Sequence, residues 1–107
     1  MIEPPLVDFA SLSPHVDQRV RVRGRVSRIP WQHMTAYAPD TDSEYFDGEN
    51  GGQIMVYVPR SLAPLAPDAL IELTGTVFTV SGPAKHSRPD EPTHTEHSLL
   101  VEAWTRV

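Results

Sequence analysis

Residues 19–28 read Arg19-Val20-Arg21-Val22-Arg23-Gly24-Arg25-Val26-Ser27-Arg28, an alternation of cation and valine with a period of two. Successive side chains of a β-strand point to opposite faces, so this period predicts a strand with one dry and one wet face. Val20, Val22 and Val26 form the dry face; Arg19, Arg21, Arg23 and Arg25 form the wet one. Gly24 interrupts the valine face where a strand bends hard or carries a bulge. A long first strand that bends at its middle is what a small closed barrel requires.

The rest of the chain divides around that strand. Proline is excluded from paired strand interiors, so the gaps between proline clusters are where the sheet must lie. Upstream, Phe9, Leu12 and Val16 recur at helical spacing, with Asp8 or Ser11 placed to cap, which predicts a short helical turn lidding the barrel. Glu44-Tyr45-Phe46-Asp47 is a short strand, preceded by the polar run of residues 40–44, which reads as loop. Asn50-Gly51 marks a turn, and Gln53-Ile54-Met55-Val56-Tyr57-Val58 is the third strand. Its alternation predicts Ile54, Val56 and Val58 inward and Gln53, Met55 and Tyr57 outward. Residues 60–67 form a connector with at most one helical turn. Leu70 to Ser81 is a long strand with Gly75 near its centre, repeating the design of the first. Gly82 to His97 reads as a polar loop of sixteen residues, a length that tends to go with function. Ser98 to Val107 is the last strand, with Leu99, Val101 and Ala103 on one face and Leu100, Glu102 and Trp104 on the other.

Three phrases carry a family resemblance: Arg19-Val-Arg-Val-Arg-Gly-Arg-Val, then Tyr45-Phe-Asp-Gly-Glu-Asn-Gly-Gly-Gln-Ile-Met-Val-Tyr-Val, then Leu70-Ile-Glu-Leu-Thr-Gly-Thr-Val. They resemble the V-x-V-x-G-x-V, strand-D-x-x-G-x-I-x-V and V-x-V-x-G-x-V pattern of bacterial OB-fold domains, both the tRNA-anticodon-like type and the small periplasmic type. The resemblance spans roughly residues 9–107. It implies an all-β, five-stranded Greek-key barrel with a short N-terminal helical turn. Function does not follow from a fold of this kind and must be argued from its sites.

Composition narrows the classes. With 107 residues, 39% hydrophobic and 21% charged, the chain reads as one ordinary globular domain over residues 1–107, with a flexible start over residues 1–8. No apolar run approaches the ~20 residues that span a bilayer. No basic segment followed by an apolar one opens the chain, which reads as cytoplasmic by default; a periplasmic chain already trimmed of its leader would begin the same way. Cysteine is absent, which excludes disulfides, thiolate metal sites and a cysteine nucleophile. The net charge of −5 is unevenly spread. Five of the nine basic side chains sit on or beside the first strand, while eleven of the fourteen acidic ones follow residue 30.

Catalysis has little support, because no G-x-S-x-G, H-E-x-x-H or G-x-x-x-x-G-K-[ST] is present. Asp40-x-Asp42-x-Glu44 begins like a calcium loop, but Tyr45 replaces the sixth-position glycine and Gly51 the twelfth-position glutamate. No catalytic residue is assigned and no cofactor is implied; the chain reads as a non-enzymatic binding module. An OB-fold binds single strands on the outer face of its second and third strands and the flanking loops, with cations for phosphates and aromatics for bases. Arg21, Arg23 and Arg25, with Lys85 and Arg88 from the late loop, are the candidate phosphate contacts. Trp31 and Tyr57 are the candidate stacking residues, with Tyr45 as a third. Two features compete with this. Asp40, Asp42, Glu44, Asp47 and Glu49 crowd the adjacent loop, and arginines on an exposed strand ordinarily stay solvated and guard its edge. A protein-interaction or extracytoplasmic module, docking through an edge strand or the loop of residues 82–97, is the alternative. His86, His94 and His97, with Glu96 between the last two, are candidate metal ligands, although positions three apart on a strand face opposite ways and would need a turn. Trp31, His33, Met34 and Met55 offer a thioether and imidazole set suited to copper(I).

Overall fold

The computed structural model describes residues 3–82 and 94–107. Five strands follow two short 3-10 turns (Phe9–Ser11 and Ser13–His15): β1 (Arg19–Val26), β2 (Thr41–Gly48), β3 (Gln53–Pro59), β4 (Ile71–Gly82) and β5 (His94–Arg106). They close in the order β1-β2-β3-β5-β4. All neighbours are antiparallel except β3 and β5, which join in parallel through Val56–Leu99 and Tyr57–Leu100.

The barrel interior is the dry face that the sequence pattern predicts. Val20 and Val22 of β1 meet Phe46, Ile54, Val56, Val58, Ile71, Leu73, Val77, Leu99 and Val101, all buried. Leu12 from the entry turns and Leu65 and Ala66 from the connector complete this core. The entry is two 3-10 turns rather than one helical turn, because Pro14 has no N–H to continue a ladder. Asp8 makes no side-chain cap; its Oδ1 accepts from Asn50 Nδ2 at 2.8 Å instead. Residues 5–7, within the stretch read as a flexible start, run beside β1. Val7 N–H donates to Arg21 O at 2.9 Å, and Arg21 N–H donates to Pro5 O at 2.8 Å.

Both central glycines sit where the sheet turns. At Gly24, β1 is paired with Ile71 of β4 and Gly48 of β2 at once, and an added Cβ would lie 2.0 Å from Asp47 O. Gly75 lies at a bulge: Thr74 faces Ala103 but Gly75 faces Val101, so Glu102 is an extra residue in β5. The bulge inverts the alternation beyond it, which corrects the facing predicted for the end of β5. Trp104, opposite Leu73, packs against the core, and Ala103 is exposed. The Trp104 indole N–H donates to Ala63 O at 3.0 Å.

Two strand starts lie well before the positions read from the sequence. β2 begins at Thr41 and so absorbs residues read as loop, because Thr41, Asp42 and Ser43 pair with Pro59, Val58 and Tyr57. β5 begins at His94, turning residues 94–97 from loop into strand through pairing with residues 79–82 of β4. The connector of residues 60–67 contains no helical turn, within the reading of at most one. Residues 31–37 belong to no strand. They run elsewhere, and the site depends on where.

Candidate functional site

β3 is buried on both sides. Ile54, Val56 and Val58 enter the barrel as predicted, but Met55 and Tyr57 on its outer face are each only 3% exposed. The cover is the segment of residues 29–38, here called the strap, which is tied along β3 and β5 by isolated polar contacts instead of a strand ladder. Trp31 N–H donates to Gln53 Oε1 at 3.0 Å, and Ala36 N–H donates to the Tyr57 hydroxyl at 2.9 Å. The His33 ring is fixed at both nitrogens, with Nε2 2.8 Å from Gln53 Oε1 and Nδ1 2.8 Å from Glu96 Oε1. Glu96 accepts from the Met34 N–H with its other oxygen. The Gln53 amide is itself oriented, since its Nε2 shares its two hydrogens among three acceptors at 2.9 Å: Ser27 Oγ, Ile29 O and Asp47 Oδ1. Its oxygen therefore faces the strap, where it accepts from the Trp31 N–H with His33 Nε2 beside it. Beneath the strap, the Tyr57 ring lies 5.5 Å from Phe78, and Tyr45 lies 6.0 Å from His33.

This corrects the expectation of an open aromatic face on β3. Tyr57 points out of the barrel but is held under the strap, not presented for stacking. Trp31 is presented, at 61% exposure, and so is Tyr37, at 92%, with Ile29 close by in sequence. Tyr37 was not singled out from the sequence, because a residue in an irregular segment has no periodicity to reveal its facing. The copper(I) grouping also meets an obstacle, since both His33 nitrogens are engaged.

The arginine stripe faces out of the barrel as predicted, but most of its charge is answered internally. Glu72, directly across from Arg23 on β4, accepts from Arg23 Nε at 3.0 Å and Arg21 Nη1 at 3.2 Å. Arg21 also donates to Pro4 O at 2.8 Å, Arg19 pairs with Glu102 at 2.6 Å, and Arg28 pairs with Asp68. Arg25 donates to the Asp68 carbonyl at 3.4 Å and, among the described residues, has no carboxylate partner. Glu72→Gln keeps the volume but removes the charge that two partly buried guanidinium groups share. It is expected to cost about 2 kcal/mol, read as a lower urea midpoint; an unchanged midpoint would show the pairs to be dispensable.

Lys85, Arg88 and His86 lie outside the described residues. His94 and His97 fall in β5, where residues 94–97 are strand, so the turn that joint metal ligation required is absent. Among the described residues, no three His, Cys, Asp or Glu side chains gather as a metal site. No described helix is long and apolar enough to cross a membrane.

No protein-family model matches the sequence, and no curated protein matches it. Among solved structures, the chain is similar to replication protein A of U. maydis, solved bound to single-stranded DNA. The TM-score is 0.54 at 18% identity, over 100% of this chain and 76% of that one. The barrel is an OB-fold. Ligands of the OB-fold lie across its second and third strands and the flanking loops. In this OB-fold the first of those loops lies down on the third strand, so the strap, not the bare sheet, is the outer surface there. The acidic residues of β2 border it, with Asp42 accepting from Arg60 at 3.3 Å and Asp47 from Gln53.

Proposed function

We propose that this chain is a non-enzymatic OB-fold module that binds single-stranded nucleic acid, with bases stacking on the strap instead of on β3 itself. The observation that carries the reading is the exposure of Trp31 and Tyr37 on the segment overlying the OB-fold's ligand-bearing strand. Exposed aromatic rings offer a face to any base, and a stacked base is worth about 1–3 kcal/mol. The likeness in fold to a protein solved with single-stranded DNA supports it. Arg25 supplies a phosphate contact, joined by Lys85 and Arg88 from the second loop. Arg21 and Arg23 contribute less, because Glu72 already offsets them.

Fluorescence anisotropy with a labelled dT oligonucleotide tests the reading. Binding is expected at low salt and should weaken with added salt, at a slope of magnitude about 2 or more on logarithmic axes, since three phosphate-contacting cations alone contribute about 0.7 each. Trp31→Ala should weaken binding by roughly 5- to 150-fold, the equivalent of one lost stack. Absence of binding even at low salt, where the electrostatic attraction is greatest, would overturn the reading. The alternative, a protein-docking module, draws on Ile29, an exposed aliphatic side chain on the same segment as the two exposed aromatics, which suits an apolar partner surface better than a phosphate backbone.

A further inference from the structure

Where the strap ends, it leaves a cleft of about 390 Å³ against the last residues of β3. Its lining includes Tyr37, Thr41, Ser43, Tyr57 and Arg60, and its volume falls within the range of small-ligand sites. Tyr37 forms one wall, with no ring contact and no hydrogen bond among the described residues. Tyr57 reaches it from beneath the strap. Its hydroxyl oxygen accepts from Ala36 N–H, which leaves its one hydrogen to give, and no described residue takes it. Arg60 commits Nε to Asp42, but both side chains of that pair are about two-thirds exposed, so solvent screens it, unlike the part-buried Glu72 pairs of Arg21 and Arg23. The Arg60 terminal nitrogens make no described contact. The cleft thus combines a flat apolar face, a fixed donor at the level of the sheet, and a cation with donors to spare.

We infer that this cleft seats one nucleotide of the bound strand. The base lies against the Tyr37 ring, a base oxygen or ring nitrogen accepts from the Tyr57 hydroxyl, and the phosphate meets Arg60. A guanidinium matches phosphate through paired N–H donors, and a tyrosine ring matches a base of any identity. This inference rests on the nucleic-acid reading and deepens it, placing a specific nucleotide position at the β3 end of the strap. Asp40 lines the same cleft and Asp42 holds Arg60 Nε, so the phosphate approaches Arg60 through its terminal nitrogens.

The test compares Tyr37→Ala, Arg60→Ala and Trp31→Ala with the unaltered chain, using the same labelled dT oligonucleotide across a salt series. The Tyr37 and Arg60 side chains are both exposed, so neither change should disturb the fold, and melting curves check this. Tyr37→Ala is expected to weaken binding at least fivefold. Arg60→Ala should weaken it and flatten the salt slope by about 0.7, the loss of one phosphate contact. In spectra of the labelled chain, the Ser43 and Tyr57 resonances should shift on adding oligonucleotide, and shift clearly less at the same concentration in Tyr37→Ala. If both variants bind like the unaltered chain while Trp31→Ala is weakened, the cleft is not the seat, although the nucleic-acid reading stands. If the unaltered chain binds no oligonucleotide at any salt, the reading and this inference fall together.

Discussion

Gly24→Ala is expected to cost about 3–5 kcal/mol and to lower the melting temperature by on the order of 20 °C. The added Cβ would lie 2.0 Å from Asp47 O and 2.8 Å from the Phe46 ring. The first obstacle is backbone, and that backbone belongs to the short β1–β2 pairing of Gly24–Val26 with Phe46–Gly48. Relief therefore means separating those strands, and Phe46, fully buried in the core, moves with them. Gly51→Ala is the control. Its added Cβ meets open space, so only the strain of a φ of 103° remains, worth about 1–2 kcal/mol. Thermal melts followed by circular dichroism separate the two. A Gly24→Ala chain melting within a few degrees of the parent would show that β1 does not bend at this point.

Glu96→Ala should release the strap while leaving the barrel closed. One carboxylate holds both the His33 ring and the Met34 N–H, and a buried donor left without its acceptor costs about 1–3 kcal/mol. The strap has no ladder to share that loss, so its opening is local and should precede global unfolding. The amides of Trp31, Met34 and Ala36 are expected to exchange with deuterium at least tenfold faster, with protease cleavage concentrated in residues 29–38. Slowly exchanging amides within β4 and β1 should change little. Unaltered exchange across the strap would mean that Tyr57 and Gln53 suffice to hold it. The exchange readout is needed because a melting curve reports the barrel, not its cover.

The barrel is legible in the sequence because its signals are local: valine alternation in β1, a glycine at the centre of two strands, Asn50-Gly51 at a hairpin. The facing of Trp104 was not legible. A bulge at Thr74–Gly75 adds one residue to β5, and a period-two reading carried across an extra residue inverts everything beyond it. The neutralisation of the stripe was hidden for a related reason. Glu72 reaches Arg21 and Arg23 only through the β1–β4 register, and sequence separation conceals register. The double burial of β3 did leave a trace. Ile54-Met55-Val56-Tyr57-Val58 is an unbroken apolar run, which is how strands covered on both faces read. Taking alternate residues as outward overlooked it. The strap has no such mark, since its place is set by single contacts from Gln53, Tyr57 and Glu96 to an irregular chain.

That run carries a liability of its own. Five consecutive uncharged residues, rich in β-branched side chains, form a segment prone to stack with copies of itself into cross-β fibrils once exposed. Pro59 and Arg60 stand directly after it, as residues that interrupt such stacking. Its outer face, however, is tied to the strap only by single contacts from Gln53 and Tyr57. The strap is thus a solubility device as well as a surface for ligands, and a chain that loosens it to bind more tightly would be drawn toward fibrils by the same change.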